Sequence, residues 1–468
     1  AKSGIAYHHA DLPPRVRRSL EKAIKGGSFR YIVSTTTLAE GVNLPISTVI
    51  VHNLEFTQLN DKGKFIGRIP MSRRKFWNIA GRAGRALRDT EGHVILLEPD
   101  SRWPELNLEE YLNWHLVNLE PVESTLKKVF RQILRIAQDL SFETWRLLFS
   151  DEPLIEQFQA EILHAILEGY LDPSQPHTIR QFVNQTLFAY QTDRESREYR
   201  RFVDFTRAHV RDVAGRELLD RQFQEYIDTS GLSINSSIKL HNKLVELGID
   251  GLARLVKLRD SNGLLDDQIL GDIFNIVFTL REMRPKDAAK QKAVLLSWIS
   301  GKPLPEIARL HFEDSRRPLE QCSNFIYSQL TNLAPWGLYA FQQMVEYLRQ
   351  YGYERLTGGT TSSSVSELLY NEELSFLPLY ANFGVNDPVA AYLCLLGVER
   401  IDSLLLTKQY RETDTTLIPP LDEVKRWLVS VEANTIREWF ERAKRPLDEY
   451  LFDICRRVQR ELDEAGSR

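Results

Sequence analysis

The chain is 468 residues long, 43% hydrophobic and 26% charged, with a formal net charge of −4. That is ordinary globular composition, enough for about two to four domains with substantial cores. The near balance of charge excludes a protein that coats nucleic acid through bulk charge, so any polyanion site has to be a local basic patch.

Three widely spaced cysteines, Cys322, Cys394 and Cys455, give neither a disulfide framework nor a zinc pattern. No cluster has metal-ligand spacing, and His8-His9 alone is far from a site. No window approaches the ~18 apolar residues of a membrane span. These features predict a reducing, cytoplasmic setting with no membrane partner. The opening "AKSGIAYHHADLPP" lacks Met and a signal-peptide core, and reads as a cut through the middle of a domain.

Strands and helices alternate through the first hundred residues. "GIAYHH" is a short strand, and "PPRVRRSLEKAIKGG" a helix with Pro at its start and Gly26-Gly27 as its stop. "FRYIVSTT" and "STVIVHN" are further strands. "MSRRKFWNIAGRAGRA" reads as a helix opened by Ser72, and "GHVILLEP" as a closing strand. Short, nearly all-apolar strands between helices predict a parallel sheet. "NLEFTQLNDKGKFIGRIP" interrupts it with strand-like arms around a polar Asn60–Gly63 turn, a hairpin signal.

Two stretches carry chemistry. In "STTTLAEGVNLP" the hydroxyls of Ser34, Thr35, Thr36 and Thr37 follow directly on an apolar strand, where ligands bind in parallel sheets. Gly41 permits a tight turn, and Asn43 is placed to bond a sugar hydroxyl. The plainer reading is Ser/Thr capping of a strand–turn–helix. In "NIAGRAGR" each arginine follows a glycine, so Arg82 and Arg85 can extend across an interface, and guanidinium suits a phosphoryl group in transfer. An isolated Arg pair is more often a salt-bridged or solvated face.

Together and in this order, the two stretches resemble motifs V and VI of superfamily-two nucleic-acid helicases, in the Ski-like DExH branch. "GIAYHHADLPPRVRRSLEKAIKGG" is similar to that branch's HHAGLP segment. The resemblance implies an α/β RecA-like domain, N-terminally incomplete, with an inserted β-hairpin, followed by mostly α-helical domains. It implies that Thr35, with Thr36 beside it, lies near a nucleic-acid phosphate and His9 near the bound strand. Gly41 and Asn43 would face the nucleotide, Arg82 and Arg85 the γ-phosphate, and the hairpin at Phe56 to Pro70 would wedge a duplex. Asn78 replaces the usual motif VI Gln, which puts its contact to the nucleotide in doubt. Asp11 replaces a common Gly.

ATP and Mg²⁺ are the cofactors the resemblance implies, held mainly by a first RecA-like domain in cis or on a separate chain. The sequence has no Gly-x-x-x-x-Gly-Lys-Ser/Thr loop and no DExH tetrad; "SGKPLPE" at Ser300 to Glu306 fails as a phosphate loop. The implied partner is nucleic acid, as single strand or fork, with DNA favoured because the helical part resembles repair helicases. The competing expectation is a non-enzymatic nucleic-acid-binding or scaffold subunit.

Expected boundaries are a RecA-like domain over 1–100, a helical linker with winged helix over 101–230, a ratchet-like bundle over 231–355, and a C-terminal helical domain over 365–468. "LLSWISGKPLPEIARLH" resembles the ratchet helix pair, with Trp298 and Ile299 as core residues in the plainer reading. Gly384 and Gly397 suggest a helix-hairpin-helix-like module. In "DRESREYRRFVDFTRAHVRD", Arg194, Arg197, Arg201 and Arg211 recur at near-helical spacing, with Tyr199, Phe202, Val203, Thr206, Val210 and Val213 on an adjacent apolar face, as a phosphate-tracking stripe would. Interleaved Glu195, Glu198, Asp204 and Asp212 offer the plainer reading of a solvated, salt-bridged face.

Without a phosphate loop this chain is expected to have no ATPase activity alone. A steady-state turnover assay on it should read background, and a turnover abolished by Arg85→Ala would overturn that expectation.

Overall fold

A computed structural model describes residues 4–8, 14–35, 46–52, 54–59, 65–84, 91–97, 108–112, 124, 126–128, 130–131, 153–215, 220–283, 285, 287–315, 317–351, 362–447 and 449–466. The chain divides into two compact units, Ala1–Val122 and Glu123–Arg468.

In the first unit, β1 (Ile5–His8) leads into α1 (Pro14–Lys25), and β2 (Tyr31–Ser34) returns parallel to β1. Their register runs from Ile5 against Tyr31 to His8 against Ser34. β3 (Thr48–Val51) is followed by an antiparallel hairpin of β4 (Glu55–Leu59) and β5 (Phe65–Pro70), irregular between Gln58 and Leu59. The hairpin arms lie where the sequence predicts them, and the Asn60–Gly63 turn is outside the described residues. After α2 (Arg73–Ala80), β6 (His93–Leu96) pairs parallel to β3, with Val51 against Leu96. This is the α/β organisation expected of a RecA-like domain.

Ser72 caps α2, its Oγ accepting the Lys75 amide at 3.3 Å. The core gathers Val51, Leu54, Met71, Phe76 and Ala80, with Tyr111 of α3 (Leu108–Leu112). Tyr111 donates its hydroxyl to the Met71 carbonyl at 2.5 Å and sets its ring edge-on to Phe76 at 5.6 Å. The opposite face of the parallel pairs is open: Tyr7, Tyr31, Val33, Ile50 and Ile95 are all exposed.

The described residues of the second unit form helices, with one isolated antiparallel bridge between Arg259 and Leu265. One large core runs from Phe130 to Cys394, and a smaller one from Val389 to Val458. α4 (Pro153–Leu167) stands at its start. The apolar pattern of "TIRQFVNQTLFAYQ" is divided between α5 (Pro176–Asn184) and α6 (Leu187–Tyr190). The break comes from Thr186, whose Oγ1 caps α6 by accepting the Ala189 amide at 3.2 Å. α7 (Arg197–Ala214) is capped by Ser196 and buries Tyr199, Phe202, Val203, Thr206, Val210 and Val213, the face the sequence assigns to packing.

The smaller core meets the larger at one cation. α8 (Ala288–Ile299) ends at Trp298, and α9 (Leu377–Phe383) ends at Gly384. Arg400, at the start of α10 (Arg400–Thr413), lies over the Trp298 ring at 3.9 Å. It donates to the carbonyls of Gly384 (2.7 Å), Trp298 (2.9 Å) and Lys302 (2.9 Å). Its partners are carbonyls at two helix ends, whose dipoles favour a cation there. Burial pulls the guanidinium down to about 10, so it stays charged at neutral pH. Gly384 has φ +68°, and a Cβ there would lie 2.3 Å from the Trp298 ring.

Gly384→Ala should therefore destabilise the second unit by about 1–3 kcal/mol through overpacking and backbone strain. Calorimetry of the chain reads this as a lowered unfolding temperature for one transition. An unchanged transition would mean the Trp298–Arg400 pair can separate without cost.

Candidate functional site

The site is built from strand ends. The parallel register of β1 and β2 sets His8 beside Ser34, so the two strands, followed in sequence by His9 and by Thr35-Thr36, end side by side. The Thr35 amide donates to the His8 carbonyl at 3.2 Å, and Thr35 itself is exposed. His8 is buried and bonds Glu21 of α1 through Nε2 at 3.1 Å. That contact ties α1 to the strand end. Sequence reading missed it, since no spacing rule links positions 8 and 21 across a strand–helix connection.

The second part lies at the end of α2. Phe76 and Ala80 face the core, while Asn78 is exposed and Arg82 half-exposed. The helix stops at Ala80, sooner than its sequence pattern predicts. Gly81 and Arg82 donate back to Trp77 and Ile79, and Gly84 then takes φ +88°. Ala83 forms a parallel bridge to Ile46, and the Gly84 amide donates to the Ile46 carbonyl at 2.9 Å. Ile46 directly follows the "EGVNLP" run. The end of the hydroxyl-bearing stretch and the glycine–arginine stretch are thus joined through backbone.

Gly92 completes the contact. A Cβ on it would sit 2.4 Å from the Ala83 backbone, so only glycine lets the entry to β6 pass this close. Gly92 was visible in the sequence only as the start of a strand.

Of the sequence-predicted residues, the structure thus places Thr35 at the β2 end and Asn78 and Arg82 around the α2 terminus. His9, Thr36, Gly41, Asn43 and Arg85 lie outside the described residues. Arg194, Arg197 and Arg201 are on the second unit, at and before α7. Trp298 is buried and donates to the Ala381 carbonyl at 3.0 Å, as the plainer reading has it. At the Gly397 turn, the amides of Gly397, Val398 and Glu399 already donate to Cys394, Leu393 and the Tyr450 hydroxyl. Those three amides are committed within the fold. Among the described residues no group of three or more His, Cys, Asp or Glu could hold a metal ion, and no helix is long and apolar enough to cross a membrane.

Residues 2–87 match the helicase conserved C-terminal domain. This stretch holds both joined motifs. Residues 2–87 are a helicase C-terminal domain. The chain is 34% identical over 148 residues to the Hachiman protein HamB of Bacillus cereus, covering 30% of this chain and 12% of that protein. It is 36% identical over 110 residues to the ATP-dependent DNA helicase Hel308 of Aeropyrum pernix, covering 24% of this chain and 14% of the relative. The probable helicase HelY of Mycobacterium tuberculosis is 28% identical over 162 residues, 34% of this chain and 16% of HelY. Each match spans a small fraction of the relative's own length. The helicase domain ends its match at residue 87, while the compact unit continues through β6 and α3.

Replacing Gly92 by Ala should cost the first unit about 1–3 kcal/mol, because the Ala83 backbone has to move. Thermal unfolding followed by near-UV circular dichroism checks it. A melting temperature equal to that of the unaltered chain would show that the Ala83–Gly84 turn yields freely.

Proposed function

We propose that this chain is the C-terminal half of an ATP-dependent superfamily-two helicase or translocase that acts on nucleic acid, DNA in preference to RNA. The observation that carries the reading is the backbone join of Ile46 to Ala83 and Gly84. It fixes the turn bearing Arg82 against Ile46, which follows Gly41 and Asn43 in the sequence, within a matched helicase domain.

The residues suit the part they would take. Arg82 stands half-exposed on a turn held by backbone contacts, so it leaves the chain from a fixed point. ATP with Mg²⁺, held mainly by another RecA-like domain, supplies the phosphoryl group in transfer. Arg82 and Arg85 supply positive charge to its oxygens, in the manner of an arginine finger. Asn78, exposed on α2, is shorter than the usual Gln and serves at most as an outer contact. Thr35 and Thr36 grip a strand phosphate with His9 nearby, and the hairpin of β4 and β5 parts the duplex. The setting is cytoplasmic, and the wider role fits repair of DNA.

The test uses the complete protein on matched DNA and RNA forks. DNA should be displaced faster, and Arg82→Ala or Arg85→Ala should lower ATP turnover by about a thousandfold, as for an arginine finger. Equal rates on the two forks would end the preference for DNA. Turnover unmoved by either substitution would favour a scaffold that keeps the fold without its chemistry.

A further inference from the structure

The arginine-rich helix α7 has two faces of different kinds. Its apolar face is sunk in a cluster of rings: Phe202 stacks on Phe188 at 4.0 Å and meets Phe130 at 5.1 Å. That packing fixes which side chains point outward. At 3.6 residues per turn, Arg197, Arg201 and Arg211 fall along one outward line, flanked by Arg200 and Arg207.

Interleaved carboxylates would make this a neutral, solvated face if they paired along the helix. Two of them are engaged away from the four arginines of the stripe, one off the helix and one along it. Glu198 turns off the line to Arg131, with Nε at 2.7 Å and Nη2 at 3.2 Å. Asp204 takes Arg207 at 2.8 Å. Arg200 bonds the Glu195 carbonyl at 3.2 Å rather than a carboxylate. Among the described residues, Arg194, Arg197, Arg201 and Arg211 have no ion-pair partner; Arg194 and Arg197 are exposed, as is Arg211. At the end of α6, four residues before Arg194, Tyr190 is 88% exposed.

We infer that Arg194, Arg197, Arg201 and Arg211, with Tyr190, form a binding surface for the sugar–phosphate backbone of single-stranded nucleic acid. From Arg197 to Arg211 the helix rises about 21 Å at 1.5 Å per residue, long enough to meet several consecutive phosphates. Guanidinium pairs with phosphate in bidentate fashion, and a free tyrosine ring offers a stacking face that accepts any base. A rigid cationic line with an aromatic beside it suits a repeating polyanion better than the irregular charge of an acidic protein. The surface gives the strand a contact separate in sequence from the helicase domain. The inference rests on the helicase reading only for its choice of nucleic acid as the polyanion.

The test measures binding of fluorescein-labelled dT20 and rU20 by anisotropy, at several salt concentrations, using this chain. The triple variant R197E/R201E/R211E should bind at least tenfold more weakly, and its log affinity should fall less steeply with log salt, by about 2 for three lost contacts. Tyr190→Ala should weaken binding severalfold with the salt slope unchanged. A second triple variant, R221E/R317E/R456E, changes net charge equally at exposed positions and should bind as the unaltered chain does. These arginines are surface residues, so both variants should melt within a few degrees of it. Equal weakening in both triple variants would overturn the inference by reducing it to bulk charge. Unchanged binding in R197E/R201E/R211E would overturn it while leaving the helicase reading intact, and no binding by the unaltered chain would overturn both.

Discussion

The Gly84 amide donates to the Ile46 carbonyl at 2.9 Å, with Ala83 bridged to the same residue, and the arrangement of the first unit's candidate site hangs on that contact. Residue 46 closes the hydroxyl-bearing stretch after β2, and residues 82–84 close α2. Neither end belongs to a regular element, so without a partner each would carry unsatisfied backbone groups. Joining them satisfies both and fixes the direction in which the turn bearing Arg82 leaves the domain. Gly92 then allows β6 to enter directly beneath Ala83, and β6 pairs with β3, which begins just after Ile46. The site and the strand pair are therefore one mechanical object. An arginine presented from such a turn is already oriented, which is the condition under which fixed charge is effective against charge developing in a reaction.

The second unit is organised by buried charge that meets backbone. Arg400 holds two helix C-termini together through three carbonyls and lies on the Trp298 ring. Arg259 binds Glu373, which also accepts the Tyr380 hydroxyl at 2.8 Å. Both arginines join segments distant in sequence, and Arg400 does so where the larger core gives way to the smaller. Buried guanidinium groups are costly to desolvate, so their presence here specifies how the helices meet rather than simply adding stability. On α7 the opposite holds: the arginines stay towards the surface, with Glu198 engaged by Arg131 and Asp204 by Arg207.

Much of this was legible in the residues. The alternation of apolar strands and helices gave β1, β2, β3 and β6 close to their observed bounds, and the Asn60–Gly63 turn marked the hairpin. Ser72 announced α2 by its capping chemistry. Periodicity placed the apolar face of α7 but not His209, which is buried on the same helix. It failed where a local competitor intervened: Thr186 caps a new helix inside one apolar pattern, and α2 stops short because Gly81 and Gly84 redirect the chain. The pairings of His8 with Glu21 and of Ile46 with Gly84 left no mark in the sequence, because both depend on how elements cross.

What the sequence determined by itself is the inventory: two ordered motifs, their glycines and arginines, a parallel α/β unit, and amphipathic helices with defined inner faces. These follow from local sterics, capping and hydrophobic period, all of which act within a few residues. What only tertiary structure decided is which groups meet. It joined residue 46 to residues 83 and 84, buried Trp298 under Arg400, and turned Glu198 away from its own helix to Arg131. Such choices rest on contacts between residues far apart in the chain, where packing and backbone satisfaction outweigh every local preference.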